Sequence, residues 1–198
     1  MDNALLIIFV KNPVLGKVKT RLAISLGDEK ALKVYKILLK KTQQVTSQLP
    51  MHQTVYYAEK MDKYDLWSNE HYEKRLQSGH DLGTRMYRAF KQGFEQKHAP
   101  VAIIGSDCYE ITPEIILDGF HLLNENDVVI GPAKDGGYYF IGMRKFYPTL
   151  FNNKSWSTSK LLTETKTDLK GLSLKYALLQ ELADVDEEKD LGPIKDLL

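Results

Sequence analysis

Three short loops in this sequence hold most of the side chains that could bind or transform a ligand. Residues 9–23 contain three lysines, an arginine and a glycine, residues 106–108 contain an aspartate, and residues 133–139 contain Asp-Gly-Gly. Each loop begins at or just after an apolar run of strand length. Because ligands of open parallel sheets bind beyond the carboxyl ends of the strands, we expect the three loops to meet at one edge of a sheet.

The basic loop, residues 9–23, has the composition of a phosphate-binding loop. Phosphates are bound by cations and by backbone N–H groups, which Lys11, Lys17, Lys19, Arg21 and the close approach at Gly16 would supply. We expect Lys19 and Arg21 to converge with Gly16 on one anion, and Lys17 to stay solvated. A basic turn that is solvated throughout is the alternative.

The acidic candidates also have two interpretations. Asp107, at the end of an apolar strand, offers hard oxygen ligands for Mg²⁺ or Mn²⁺, but it could instead form an Asx turn before the helix that begins at Pro113. The Asp-Gly-Gly at 135–137 is typical of a hairpin turn, and Asp81 is placed to cap a helix. The metal and phosphate interpretation gains weight because three separate loops support it.

The periodicity of apolar residues predicts alternating strands and helices. We predict strands at residues 4–10, 53–58, 101–105, 127–132 and 137–143, and helices over 28–48, from 81 onward and from 113 onward. Asp28 and Thr112 are the expected caps of the first and last helices. Residues 62–74 fit no periodic pattern. The sequence therefore predicts a single α/β domain over residues 1–198, with a mostly parallel sheet flanked by helices.

Composition excludes several classes of protein. The 198 residues are 43% apolar with a net charge of +1, so a broad basic surface for nucleic acid is not expected. One cysteine and five scattered histidines argue against a disulfide framework or a zinc site. The sequence shows neither a signal-peptide pattern nor an apolar run of membrane-spanning length, so we expect a cytoplasmic protein. No pattern indicates an oligomeric state.

Five stretches together resemble the motifs of the small bacterial DUF2064 proteins. They are FVKNPVLGKVKTRL, QSGHDLGTRM, GSDC, DVVIGPAKDGGYYFIG and ADVDEEKDL, at residues 9–22, 77–86, 105–108, 127–142 and 183–191. That family is usually described as glycosyltransferases of the GT-A fold, in the nucleotide-diphospho-sugar transferase superfamily. Two positions depart from the family pattern: Tyr109 follows GSDC where proline is common, and Glu187 stands where threonine is common.

The resemblance implies a role for each motif. It assigns nucleotide phosphates to Lys11, Gly16, Lys19, Thr20 and Arg21. It assigns the base or ribose to the motif around Asp81 and Arg85, with Gly79, Leu82 and Gly83. It implies that Asp107 and Asp186 hold Mg²⁺ or Mn²⁺, with Asp184 in the same late motif. Asp107 and Asp135 are then the catalytic carboxylates, and Gly136 and Gly137 line the sugar or acceptor side.

Three functions remain open from the sequence. The resemblance favours a metal-dependent glycosyltransferase that transfers a sugar from a nucleotide-diphospho-sugar to a small-molecule acceptor. The density of positive charge in the basic loop also suits a nucleotidyltransferase, which must bind a triphosphate and releases pyrophosphate. A nucleotide-binding domain without turnover is the third possibility. Because fold does not determine function, the choice depends on the site.

Overall fold

A seven-stranded, mostly parallel sheet forms the centre of the structure. The computed structural model describes residues 3–198 apart from the Pro193 side chain, so Met1 and Asp2 lie outside the described residues. The strands are β1 (Leu5–Val10), β2 (His52–Tyr57), β3 (Glu73–Leu76), β4 (Val101–Ile104), β5 (Val128–Pro132), β6 (Tyr138–Met143) and β7 (Tyr176–Leu178). Their order across the sheet is β3-β2-β1-β4-β6-β5-β7, and only β6 runs antiparallel to its neighbours among these strands. The predicted α/β class with a mostly parallel sheet is confirmed.

Helices cover both faces of the sheet. They are α1 (Thr20–Leu26), α2 (Asp28–Thr46), α3 (Leu82–Glu95), α4 (Pro113–Leu122) and α5 (Leu161–Gly171), with 3₁₀ turns at Pro148–Phe151, Glu188–Asp190 and Gly192–Leu197. No helix within residues 3–198 has both the length and the apolar character that a membrane crossing requires.

The predicted helix caps are confirmed at two of three positions. The Asp81 carboxylate accepts a hydrogen bond from the Thr84 backbone at 2.6 Å, and the Thr112 hydroxyl accepts one from Ile115 at 3.4 Å. Asp28 is not a cap, because Gly27 is the N-cap of α2 and Asp28 lies in the first turn. There its negative charge still interacts favourably with the positive end of the helix dipole.

Helices α1 and α5 and strands β3 and β7 were not predicted. Strand β3 overlaps the end of the stretch without periodicity, and it shows no apolar pattern because it is a charged edge strand with no buried residue among Glu73–Leu76. Helix α1 lies inside the basic loop, where seven residues are too few to show a helical period. Antiparallel β6 also makes residues 133–137 a hairpin connection, as the Asp-Gly-Gly turn suggested.

The apolar run of β1 is continuous because both of its faces are buried. Leu6, Ile8 and Val10 pack in a core layer with α2 and α4, and the odd-numbered residues of β1 pack in a second layer with α3 and α5. Strands of parallel sheets covered on both faces lose the usual alternation of apolar and polar residues. The central strands are thus fixed from both sides, and their carboxyl ends provide a rigid edge.

Tyr35 of α2 joins two of the loops at that edge. Its buried hydroxyl accepts a hydrogen bond from the Lys11 backbone N–H at 2.8 Å and donates to the Lys11 carbonyl at 3.1 Å. It also shares a hydrogen bond with the Ser106 hydroxyl at 3.2 Å. The start of the basic loop and the loop after β4 are therefore held against the same helix.

Asn12 holds the basic loop to the chain that follows β2. Its side-chain oxygen accepts hydrogen bonds from the backbone N–H groups of Glu59 and Lys60 at 3.0 and 3.2 Å, and its amide donates to the Lys60 carbonyl at 2.8 Å. Asn12 itself is buried. These three bonds satisfy backbone groups that take no part in strand pairing, so they hold the loop in one conformation.

We predict that Asn12→Ala destabilises the fold by about 2 kcal/mol, because buried backbone partners are left unsatisfied. For a chain of this size, a loss of that magnitude lowers Tm by roughly 4–8 °C in calorimetry. Asn124→Ala is the matched control, since Asn124 is exposed and only its backbone takes part in hydrogen bonds among the described residues. Equal melting temperatures for the two variants would contradict the anchoring role of Asn12.

Candidate functional site

A cavity of about 540 Å³ opens at the carboxyl ends of the central strands. All three loops that the sequence singled out contribute to it, which confirms that they share one edge of the sheet. The predicted residues that line it are Lys11, Lys19, Thr20, Arg21, Arg85, Asp107, Asp135, Gly137 and Asp186. Its volume lies within the usual range for small-molecule sites.

Five predicted site residues do not line the cavity: Gly16, Gly79, Asp81, Gly83 and Gly136. Asp81 is occupied as the cap of α3, at the beginning of that helix. Gly16 forms a left-handed turn at φ 73°, and a side chain there would face Asp28 rather than the cavity. Gly136, at φ 89°, packs against the Ser159 backbone so closely that a Cβ atom would collide with it. Gly16, Asp81 and Gly136 shape the loops and do not form the walls.

The buried ammonium group of Lys19 is the centre of the site. Its side chain is 4% exposed, and Nζ lies 2.5 Å from Asp107 Oδ1 and 3.0 Å from Asp186 Oδ1. Burial lowers the pKa of Lys19, but the two carboxylates more than offset this effect, and its pKa lies above the usual value. Lys19 is therefore positively charged and paired. The expected convergence of Lys19, Arg21 and Gly16 on one anion was wrong, because two carboxylates hold the ammonium group.

The backbone of Lys19 is strained. Its φ of 48° and ψ of 45° place it in the left-handed region, which a residue with a side chain adopts at a cost of about 1–3 kcal/mol. It immediately precedes α1, so this conformation turns the chain from the loop into the helix. The ion pairs with Asp107 and Asp186 compensate for part of that cost.

A segment near the C-terminus brings two more carboxylates to the cavity. The Val185 N–H donates to the Asp107 carbonyl at 3.0 Å, and Asp184 pairs with Cys108 in an isolated antiparallel β-bridge. Because side chains alternate along an extended chain, Val185 is buried in the core while Asp184 and Asp186 line the cavity. Burial, together with the nearby Asp107 and Asp135, raises the pKa of Asp184 to about 7.

Several cations of the site remain solvent-accessible. Arg21 is 69% exposed and lies 3.9 Å from Asp186 Oδ2, and Lys17, which pairs with Glu59 at 3.7 Å, is 61% exposed. Lys17 lines the cavity, so it is solvated as expected but is not remote from the site. Arg85 is fixed by hydrogen bonds from Nε to the Gly79 carbonyl at 3.0 Å and from Nη1 to Gln77 Oε1 at 3.4 Å.

The two departures from the family motifs lie outside the cavity wall. Tyr109 packs at the edge of the core beneath the ammonium group of Lys41, whose Nζ is 5.7 Å from the ring centre, and it does not line the cavity. Glu187 is the N-cap of the 3₁₀ turn Glu188–Asp190, a role that threonine also performs. Neither change alters a side chain proposed to bind ligand. Cys108 is buried, which raises its pKa to about 12 and keeps the thiol protonated.

Some lining residues were missed by the sequence analysis. Gln77 donates to the Val10 and Tyr56 carbonyls at 3.1 and 2.9 Å and so bridges the ends of β1 and β2. The only feature of the sequence that marks Gln77 is its place at the start of the QSGHDLGTRM motif, residues 77–86. Ser157 and Thr158 also line the cavity, and no periodicity or charge pattern marks them.

Asp107 and Asp186 are the pair that suits a divalent cation. Their oxygens are hard ligands, both approach one positive charge, and the side chains are 42% and 40% exposed, which leaves room for water or phosphate oxygens. Within the described residues, no three His, Cys, Asp or Glu side chains are placed to hold one ion together. Mg²⁺ sites at nucleotides commonly use one or two carboxylates and complete the shell with phosphate and water.

Comparison with known proteins agrees with the fold. A protein of Desulfovibrio desulfuricans G20, provisionally named a nucleotide-diphospho-sugar transferase, has a crystal structure that matches with a TM-score of 0.91 and 31% identity, over 98% of this chain and 87% of that chain. The inositol-1-phosphate CTP transferase of T. maritima matches with a TM-score of 0.63 and 14% identity, over 99% of this chain and 94% of its own.

A third structure, the 4-diphosphocytidyl-2C-methyl-D-erythritol synthase of Anaerococcus prevotii DSM 20548, matches with a TM-score of 0.61 and 11% identity, over 99% of this chain and 96% of its own. At such low identities the last two likenesses concern the fold alone. No curated protein matches the sequence.

The predicted nucleotide-diphospho-sugar transferase fold is thus confirmed. The family model described as "Uncharacterized protein conserved in bacteria (DUF2064)" matches residues 39–158, which include Arg85, Asp107 and Asp135 but neither the basic loop nor Asp186. The match covers more than half of the chain, and the chain therefore belongs to the DUF2064 family.

Proposed function

We propose that this protein is a glycosyltransferase that uses a nucleotide-diphospho-sugar and a divalent cation. The observation that carries the proposal is the cluster of Lys19 with Asp107 and Asp186, set beside the exposed cations of the basic loop. The 31% identical protein of D. desulfuricans, named as a transferase of this kind, supports the same class of reaction.

The diphosphate of the donor binds to the basic loop in this proposal. Lys11 and Arg21 line the cavity, and the Arg21 side chain is not committed to a close ion pair, since its nearest carboxylate oxygen is 3.9 Å away. An arginine fork suits two phosphate oxygens at once, and lysine acts as a point charge. Arg85 of α3, which is held by its hydrogen bond to the Gly79 carbonyl, orients the nucleotide from the side of the cavity that α3 forms.

Asp107 and Asp186 would hold Mg²⁺ or Mn²⁺ between them. Bound there, the cation would stabilise negative charge on the leaving diphosphate as a Lewis acid. Lys19 places a second, permanent positive charge beside the same carboxylates, so it orients both carboxyl groups and limits their repulsion. Asp184 shares this environment, and because its pKa is raised to about 7 it carries only part of a negative charge near neutral pH.

In the reaction, an acceptor hydroxyl attacks the anomeric carbon of the sugar while the bond from that carbon to the diphosphate oxygen breaks. The nucleoside diphosphate leaves with both electrons of that bond, and the acceptor loses its hydroxyl proton. Asp135, across β4 from the basic loop, lies on the wall that faces the sugar or the acceptor and positions it by hydrogen bonding. Positioning of two reactants is itself a large part of catalysis.

Nucleotidyl transfer is the second candidate. The positive charge of the cavity favours it, because Lys11, Lys17, Arg21 and Arg85 exceed what a diphosphate alone needs. In that reaction a phosphate of the substrate attacks the α-phosphorus of a nucleoside triphosphate, and pyrophosphate leaves. The likeness of fold to cytidylyltransferases is compatible with it. A domain that binds nucleotide without turnover would show neither product.

The products distinguish these candidates. Thermal-shift measurements with nucleoside triphosphates, diphosphates and diphospho-sugars, with and without Mn²⁺, identify the ligand, because a bound ligand raises apparent stability. Phosphorus NMR of the reaction with that ligand and a mixture of acceptors then follows turnover. Glycosyl transfer yields free nucleoside diphosphate, and its absence beside accumulating pyrophosphate would overturn the proposal in favour of nucleotidyl transfer.

We predict that Asp107→Asn removes the enhancement of nucleotide affinity by Mn²⁺, measured by calorimetry. Without metal, the affinity should stay equal or rise, because one negative charge facing the phosphates is gone. Asp118→Asn is the matched control, since Asp118 is exposed on α4 and does not line the cavity. An undiminished effect of Mn²⁺ in Asp107→Asn would exclude Asp107 as a ligand.

We also predict that Arg21→Ala weakens nucleotide binding by about 1.5–3 kcal/mol, or roughly ten- to a hundredfold in Kd, as expected for loss of a charge-assisted hydrogen bond. The Tm of the free protein should change little, because the Arg21 side chain is largely exposed. Arg88→Ala makes the same change of charge at an exposed residue outside the cavity. If both variants bind equally well, the basic loop is a solvated turn.

A further inference from the structure

One wall of the cavity carries no positive charge. Two segments form this wall, the β5–β6 hairpin and the chain leading into α5, and we call it the neutral wall. Its lining residues are Asp135, Gly137, Tyr138, Tyr139, Ile141, Ser157, Thr158 and Leu161. None of these described residues is a lysine or an arginine. The basic loop follows β1, and β4 separates β1 from β6, so the two walls are different sides of one cavity.

The neutral wall is a fixed structure because its two segments lock together. The Leu162 N–H donates to the Gly136 carbonyl at 2.9 Å, and Gly136 packs directly on the Ser159 backbone. Ser155 donates to Glu164 twice, from its N–H at 2.8 Å and from its hydroxyl at 2.6 Å. Beside it, the Trp156 indole packs against the start of α3, where a Cβ at Gly83 would collide with it.

The lysines close in sequence to the neutral wall, and Arg85 of the same cavity, do not supply positive charge to that wall. Lys154 is buried and bonded to Asp168 of α5, so its charge is already neutralised. Lys134 and Lys160 flank the wall in sequence but do not line the cavity. Arg85 lines the cavity, yet its guanidinium is bonded to Gly79 and Gln77, at the end of β3. An anionic group on the neutral wall would thus lie beside Asp135 without a compensating partner.

The polar atoms of the wall suit hydroxyl groups instead. Asp135 uses Oδ1 to accept from the Gly137 N–H at 2.8 Å, which leaves Oδ2 to accept from a ligand. The exposed hydroxyl of Ser157 has no hydrogen-bond partner among the described residues, and Ser157 holds a left-handed φ of 60° beside the cavity. A non-glycine residue in that conformation is often placed there for function.

We propose that the neutral wall binds an uncharged group rich in hydroxyls, such as an unphosphorylated sugar or polyol, and rejects an anionic one. Ser157 and Asp135 determine this specificity, Ser157 by donating or accepting a hydrogen bond and Asp135 by accepting one and repelling anions. The inference rests on the proposed function, because it assigns the phosphates to the opposite wall.

The test compares ligands that share base and diphosphate. Calorimetry with Mn²⁺ measures UDP, UDP-glucose and UDP-glucuronate, and the series GDP, GDP-mannose and GDP-mannuronate repeats the design with another base. We expect the neutral sugar to bind about tenfold more tightly than its uronate. Equal affinities for sugar and uronate, with the diphosphate itself binding, would overturn this inference alone. Failure of all the common nucleoside diphosphates (ADP, CDP, GDP, UDP and dTDP) to bind would overturn the proposed function, and the inference with it.

Two variants locate the effect. Ser157→Gly removes the hydroxyl, and glycine adopts the positive φ without strain. We therefore expect the affinity for UDP to be unchanged, and the affinity for UDP-glucose to fall to that for UDP. Ser173→Gly is the matched control, because Ser173 also has a positive φ of 54° and lies outside the cavity. Asp135→Asn should reduce the discrimination against the uronate. Equal weakening of UDP and UDP-glucose by Ser157→Gly would contradict the assignment.

A last measurement shows whether the group belongs to donor or acceptor. Free glucose is titrated into protein saturated with UDP and followed by saturation-transfer NMR. Binding that Ser157→Gly abolishes supports a neutral acceptor on this wall, whereas a sugar gain confined to UDP-glucose assigns the wall to the donor. Tighter binding of glucose 6-phosphate than of glucose would overturn the inference.

Discussion

The ion pairs of Lys19 with Asp107 and Asp186 hold together three segments that are distant in sequence. Lys19 lies in the basic loop immediately before α1, Asp107 follows β4, and Asp186 belongs to the segment near the C-terminus. A buried ammonium group without partners would be strongly unfavourable, so each of these segments has to reach the same point. The left-handed backbone of Lys19 shows that the loop adopts an unfavourable conformation to bring it there.

This arrangement separates charge within one cavity. Carboxylates cluster at its centre, cations that remain exposed lie on the basic loop, and the wall across β4 is neutral or acidic. A nucleoside diphosphate joined to an uncharged sugar has the same order of charges, anionic at one end and neutral at the other. This match supports the proposal that the cavity orients its substrate as well as binding it, and orientation decides which bond is exposed to an acceptor.

Much of the fold and part of the site followed from local patterns. Buried strands are recognisable as apolar runs, and parallel strands end at one edge, which is why Asp107 and the basic loop were correctly expected to meet. Asp135 shows that two interpretations of one motif can both hold, since it forms a hairpin turn and lines the cavity. The partners of Lys19 were not predictable, because one of them, Asp186, belongs to a segment without periodicity that lies against the chain following β4. Ser157 was missed for a similar reason, since a left-handed residue in an irregular loop leaves no periodic signal.

In the function proposed here, one cavity binds the phosphates on the basic loop and a divalent cation on Asp107 and Asp186. The most direct measurement is a crystal structure of the protein with Mn²⁺ and a nucleoside diphosphate, with anomalous scattering recorded to locate manganese. We expect an anomalous peak in contact with both carboxylates, and phosphate density beside Lys11 and Arg21. Manganese or nucleotide bound at another place on the protein, with this cavity filled only by solvent, would contradict the proposal.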